Sequence, residues 1–156
     1  MSLSAALIAM AAAGTSTTLS PSERGAVFRA AGFHQNAGRW ESDCGDPGTA
    51  SYEPGKIEQL RDLNGDGRLE AVVTEGSAFC YGDDGTGFSL VSRQTDGRWK
   101  LVYRATGVAT FLATKGAGGW PDLEVGGPGF CFSVMRWSGQ AYTRHRFAYQ
   151  GKPCKR

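Results

Sequence analysis

This chain of 156 residues has only two histidines, no C-x-x-C pair, no G-x-S-x-G elbow and no phosphate-cradling glycine loop. Each absence removes a chemistry. His34 and His145 stand in no metal-protease or phosphatase spacing. Without C-x-x-C, a zinc site and a thioredoxin-like redox site both lose support, and the missing elbow and phosphate loop argue against serine hydrolases and nucleotide enzymes. Excess charge is also lacking: 17 basic and 15 acidic side chains leave a net +2, too little to create a general field for nucleic acid or anionic lipid. Carboxylates are absent from one region. From Arg136 onward, Arg144, Arg146, Lys152, Lys155 and Arg156 meet no Asp or Glu, which reads as a solvated basic tail or a contact for an anionic partner.

The length suits one domain, and 40% hydrophobic content supports one core. Residues 1–19 read as a secretory signal that the mature domain, 20–156, leaves behind. An uncharged apolar run from Leu3 to Ala13 precedes small polar residues, with cleavage sites at Ala11-x-Ala13 or Ala9-x-Ala11. No Lys or Arg precedes the run, which fits a truncated start or a segment that is no signal at all. No other stretch is long and apolar enough to cross a bilayer, and with no cysteine before Cys44 a lipid anchor is not expected. The predicted location is periplasmic or secreted. Cys44, Cys80, Cys131 and Cys154 fit an oxidising compartment as two disulfides. Three pairings are open; Cys44 with Cys80 and Cys131 with Cys154 is preferred, because the second bond would pin the tail.

Ser20, Pro21 and Glu23 write a capping box at the start of one helix over about residues 21–31, which Gly32 ends. Beyond Gly38 the chain is β in character. Short runs such as "LEAVVTE", "FSLVSRQ", "WKLVYRA" and "VATFLAT" alternate with turns such as Asp96-Gly97 and Ser138-Gly139. Strands so closely spaced must be largely antiparallel. The predicted class is therefore mainly β: antiparallel sheets of short hairpins, part-propeller or sandwich-like, with one N-terminal helix. A faint internal repeat supports two similar units, since "LEAVVTEGSAFCY" and its following hairpin resemble "LEVGGPGFCF" and its own.

One stretch carries metal chemistry. In "DLNGDGRLE", Asp62, Asn64 and Asp66 place side-chain oxygens at alternate positions, Arg68 offers its carbonyl and Glu70 a further carboxylate. A hard ion such as Ca²⁺ takes about 6–8 oxygen ligands, and a curled segment presenting every second residue inward suits it. The first positions match an EF-hand loop, but Val73 stands where that loop needs its bidentate Glu. A β-hairpin tip is expected instead. On Asp62, Asn64, Asp66, Gly67, Glu70 and the strand Ala71 to Val73, the segment from Ile57 to Thr74 resembles the FG-GAP and VCBS families. That resemblance implies structural Ca²⁺ between two strands of a propeller blade, although the chain is too short for the several blades a propeller needs. The turn at Asp83 and Asp84 lacks the alternation.

Binding is a better expectation than catalysis. Glu41, Asp43, Glu75 and Asp122 offer carboxylates for a glycan-cleaving pair if the fold brings them together, but no catalytic residue is assigned. Trp120, set among glycines in "GAGGWPD", reads as an exposed anchor. The turn "SGQAY", from Ser138 through Gly139 to Tyr142, resembles the Ser-Gly-x-x-Tyr loop of periplasmic lysozyme inhibitors. By that resemblance Ser138 and Tyr142 would enter the cleft of a peptidoglycan hydrolase. The sequence thus predicts an exported, non-catalytic, calcium-binding module whose partner is a protein or a glycan, with a lysozyme-type inhibitor and a glycan-cleaving enzyme as alternatives.

Overall fold

Ser20 opens the first element of the computed structural model, which describes residues 18–156; all but the last two residues of the expected signal segment lie outside it. The Ser20 hydroxyl accepts the Glu23 N–H while the Glu23 carboxylate accepts the Ser20 N–H. This capping box starts α1 (Pro21–Ala30) as the sequence indicates. Gly32 follows its end at φ +84°, a left-handed turn that costs glycine little. Val27, Phe28 and Ala31 are buried and aim the helix at a sheet.

A small hairpin, β1 (His34–Asn36) with β2 (Arg39–Glu41), leads to the first sheet. That sheet is an antiparallel meander of β3 (Glu53–Arg61), β4 (Glu70–Gly76), β5 (Thr86–Arg93) and β6 (Trp99–Thr106). The second sheet runs β7 (Val108–Lys115), β8 (Pro121–Gly126), β9 (Phe132–Trp137), β10 (Tyr142–Tyr149) and β11 (Lys152–Pro153), again pairing antiparallel in chain order. The repeated sequence units fall on β4–β5–β6 and on β8–β9–β10, so the similarity corresponds to two meanders.

The first sheet is covered on both faces, which explains its nearly continuous apolar runs. Alternation along β4 sends Ala71 and Val73 toward α1, while Val72 joins Phe88 and Leu90 against Trp120, Leu123 and Tyr142 of the second sheet. Each fully buried Val, Leu or Phe among them contributes about 1.5–3 kcal/mol. Two sheets sharing one core make the architecture sandwich-like. The chain passes between them at Gly107 alone, where φ is +113°, the N–H bonds the Thr86 carbonyl at 2.8 Å, and a Cβ would run into the Gly126 carbonyl.

The disulfides are Cys44–Cys80 and Cys131–Cys154, the preferred pairing. Cys80 lies on a feature the sequence reading missed, a second short helix, α2 (Ala78–Tyr81). Its signal was local: the Ser77 hydroxyl accepts the Cys80 N–H at 3.0 Å and caps it. No helix among the described residues is long and apolar enough to cross a membrane.

Candidate binding site

The acidic loop joins β3 to β4 and is curled by its own side chains. The Asp62 carboxylate accepts the N–H groups of Gly65 (2.7 Å) and Gly67 (2.8 Å). Asn64 Oδ1 accepts Asp66 N–H at 3.0 Å, and Asp66 Oδ1 accepts Arg68 N–H at 2.8 Å. The Arg68 guanidinium lies 2.6 Å from Asp66 Oδ2. Glu70 sits beneath, 1% exposed, with Leu63 N–H on one oxygen and the Ser92 hydroxyl on the other, both at 2.7 Å. Burial lifts the Glu70 carboxyl above its usual range, and the charges of Asp66 and Asp62 add to the effect. For Asp62 burial acts in the same sense, but the N–H groups of Gly67 and Gly65 outweigh it and hold the carboxyl low.

Asp62, Asp66 and Glu70 are therefore tied to separate donors; among the described residues no group of three or more His, Cys, Asp or Glu side chains is gathered for a metal ion. The donor set still fits a hard cation in its chemistry. Every side-chain acceptor of the loop is oxygen, and each except Asp66 Oδ2 takes a single hydrogen bond, leaving a lone pair.

The second sheet comes to this loop. Gly119, at φ +78°, lies so close to the loop that a Cβ would sit 2.6 Å from the Asn64 carbonyl. Beside that contact is a cavity of about 270 Å³ lined by Asn64, Asp66, Lys100, Trp120, Trp137 and Gln140, among others. Three features separate in sequence thus meet at one place: the acidic loop, the tryptophan among glycines and the turn after β9. Gln94 and Lys100 also line the cavity. Nothing in their local sequence marks them, since only the pairing of β5 with β6 carries them there.

Two expectations need correction. Trp120 is 8% exposed and Tyr142 6% exposed, so neither stands out as an anchor for a partner. Trp120, Trp137 and Tyr142 pack with centroids 5.3–6.1 Å apart, and the Tyr142 hydroxyl donates to the Pro121 carbonyl at 2.8 Å. Burial, then the charges of Asp122 and Glu70, push that phenol above its ordinary range. Packing against Trp137 and the core between the sheets holds both rings inward, which composition alone does not reveal. Ser138, Gly139, Gln140 and Ala141 remain exposed. The Ser138 hydroxyl accepts the N–H groups of Gln140 (3.3 Å) and Ala141 (3.2 Å) and so shapes the turn.

The other carboxylates are each held by partners of their own. Glu75, buried on the first sheet, accepts the Ser42 N–H (3.0 Å), the Ser42 hydroxyl, Tyr52 (3.1 Å) and Tyr81 (2.8 Å). Burial and this carboxylate push the Tyr81 phenol up to about 12. Glu41 is paired with Arg39 and Asn36, and exposed Asp43 lies 3.5 Å from His34. Asp122 is buried on the second sheet under Arg136, Arg146 and Thr114. Glu75 and Asp122 thus belong to separate networks, each complete in itself.

No protein-family model, curated protein or solved structure matches the chain.

Proposed function

We propose that this is an exported, non-catalytic β domain that holds Ca²⁺ at Asp62–Glu70 as a structural staple and binds its partner at the neighbouring cavity. The observation that carries the reading is the convergence of one loop from each sheet on that cavity, with Trp120 and Trp137 between them. Asp62, Asn64 and Asp66 would hold the ion with the Arg68 carbonyl, and Glu70 would close the set from below. A bound cation supplies positive charge against the mutual repulsion of three carboxylates. A rigid loop then keeps one wall of the cavity in place. The two disulfides fit an oxidising compartment, and the apolar segment at residues 3–13 supports export to the periplasm or medium.

The hydrolase-inhibitor alternative has the burial of Tyr142 against it, and the glycan-cleaving alternative has the separate networks of Glu75 and Asp122. Calorimetry and thermal melting of chelator-stripped protein test the calcium reading. A free Ca²⁺ concentration ten to a hundred times the dissociation constant is expected to add about 1.4–2.7 kcal/mol of stability, an increment that Asp66→Ala removes. Neither heat nor a rise in melting temperature would end it. Capture of a partner from the producing cell's exported fraction, with and without Ca²⁺, tests the binding role.

A further inference from the structure

The cavity between the acidic loop and the Ser138–Ala141 turn has a chemical character as well as a place. Trp137 is half-buried there, tilted against Trp120 at 5.3 Å. Gln140, whose side chain makes no hydrogen bond among the described residues, lines the cavity, as do Asn64 and Gln94, whose amides also bond Asp66 and the Ser92 carbonyl. An indole beside planar amides suits a pyranose, whose C–H face packs on an aromatic ring while its hydroxyls both donate to and accept from amides. The volume of about 270 Å³ is at the low end for small-ligand sites. It suits one sugar residue better than a folded protein surface, which wants an apolar anchor pocket.

Charge narrows the class. Asp66 is neutralised by Arg68 at 2.6 Å, whereas exposed Lys100 makes no ion pair among the described residues. Of the charged residues that line the cavity, Lys100 is thus the one without an ionic partner.

We propose that this cavity binds one acidic sugar residue of an anionic glycan, with the ring on Trp137 and the carboxylate on Lys100. The proposal rests on the reading of the cavity as the binding site and is independent of the calcium. Its test is titration with oligogalacturonates and with neutral hexose oligomers of equal length, read by tryptophan fluorescence and calorimetry, in Ca²⁺ and after chelation. The acidic oligomers are expected to shift the emission saturably and to bind at least about tenfold more tightly than the neutral ones. Lys100→Ala, at an exposed position, should abolish that preference without changing the melting temperature, and Gln140→Ala should weaken both ligands. Equal binding of the two oligomers, no response to either, or a preference that survives Lys100→Ala overturns the proposal. Calcium heat without any sugar response refutes this inference alone, while sugar binding without calcium heat refutes the calcium reading alone.

Discussion

Replacing Asp122 is the sharpest perturbation of the frame that carries the site. Its carboxylate is fully buried and receives Arg136 through Nε and Nη2 (both 2.8 Å), Arg146 through Nη1 (3.0 Å) and the Thr114 hydroxyl (2.6 Å). One anion thereby ties β7, β9 and β10 to β8, immediately beside Pro121, whose carbonyl holds Tyr142. Breaking a buried ion pair costs about 3–5 kcal/mol. The arginine side chains are 35% and 31% exposed, so they can turn toward water, and Asp122→Ala should fall near the lower end, about 3 kcal/mol. At this chain length that corresponds to a fall in melting temperature of roughly 10 °C or more. Asp122→Asn keeps the shape but sets an amide N–H₂ among donors, and should cost nearly as much. The bonds from Arg136 lead in holding the Asp122 carboxyl well below its usual range, against the opposing effect of burial, with Thr114 and Arg146 adding to them. Because the folded-state value is depressed, the unfolded chain takes up the proton first. The stabilisation is therefore complete above the unfolded value of about 3.9 and is lost as pH falls toward the folded one. Thermal melts of wild type and Asp122→Asn from pH 7 to pH 2 should converge in acid. A loss under about 1 kcal/mol at pH 7, or a gap that does not narrow in acid, would refute the reasoning.

Tyr142→Phe should cost about 1 kcal/mol in chemical denaturation, the value of one hydrogen bond, and leave the cavity's ligand affinity intact; lost binding would return the phenol to the interface. Opening Cys131–Cys154 by double serine substitution should cost about 3.4 kcal/mol, calculated from a sequence separation of 23 in the loop-entropy model, and an unchanged denaturation midpoint would contradict it. Glu70 has a raised carboxyl, so it favours the fold while protonated and works against it as pH rises through its folded-state value. In calcium-free buffer Glu70→Gln should therefore flatten the decline in stability from pH 4 to pH 7, a change visible in melting curves. An unchanged slope would show that Glu70 does not report on the loop's charge.

Much of this frame was legible in the residues because its causes are local. The helix start needs only Ser20, Pro21 and Glu23, which lie within one turn. The strands from β2 to β10 are marked by runs of β-branched and aromatic side chains, and the curl of Asp62 to Glu70 follows from short polar side chains reaching N–H groups two to five positions on. Sequence alone thus determined the β class, the helix, the existence of the acidic loop and the supply of cysteines for two bridges. The tertiary structure decided which cysteines pair, that Trp120 and Tyr142 are buried, that Glu75 and Asp122 enter different networks, and that Gln94, Lys100 and Gln140 stand around one cavity. Those outcomes depend on strand register and on one sheet lying against the other, where partners tens of residues apart are selected by shape and charge. A side chain's neighbours along the chain do not carry that information.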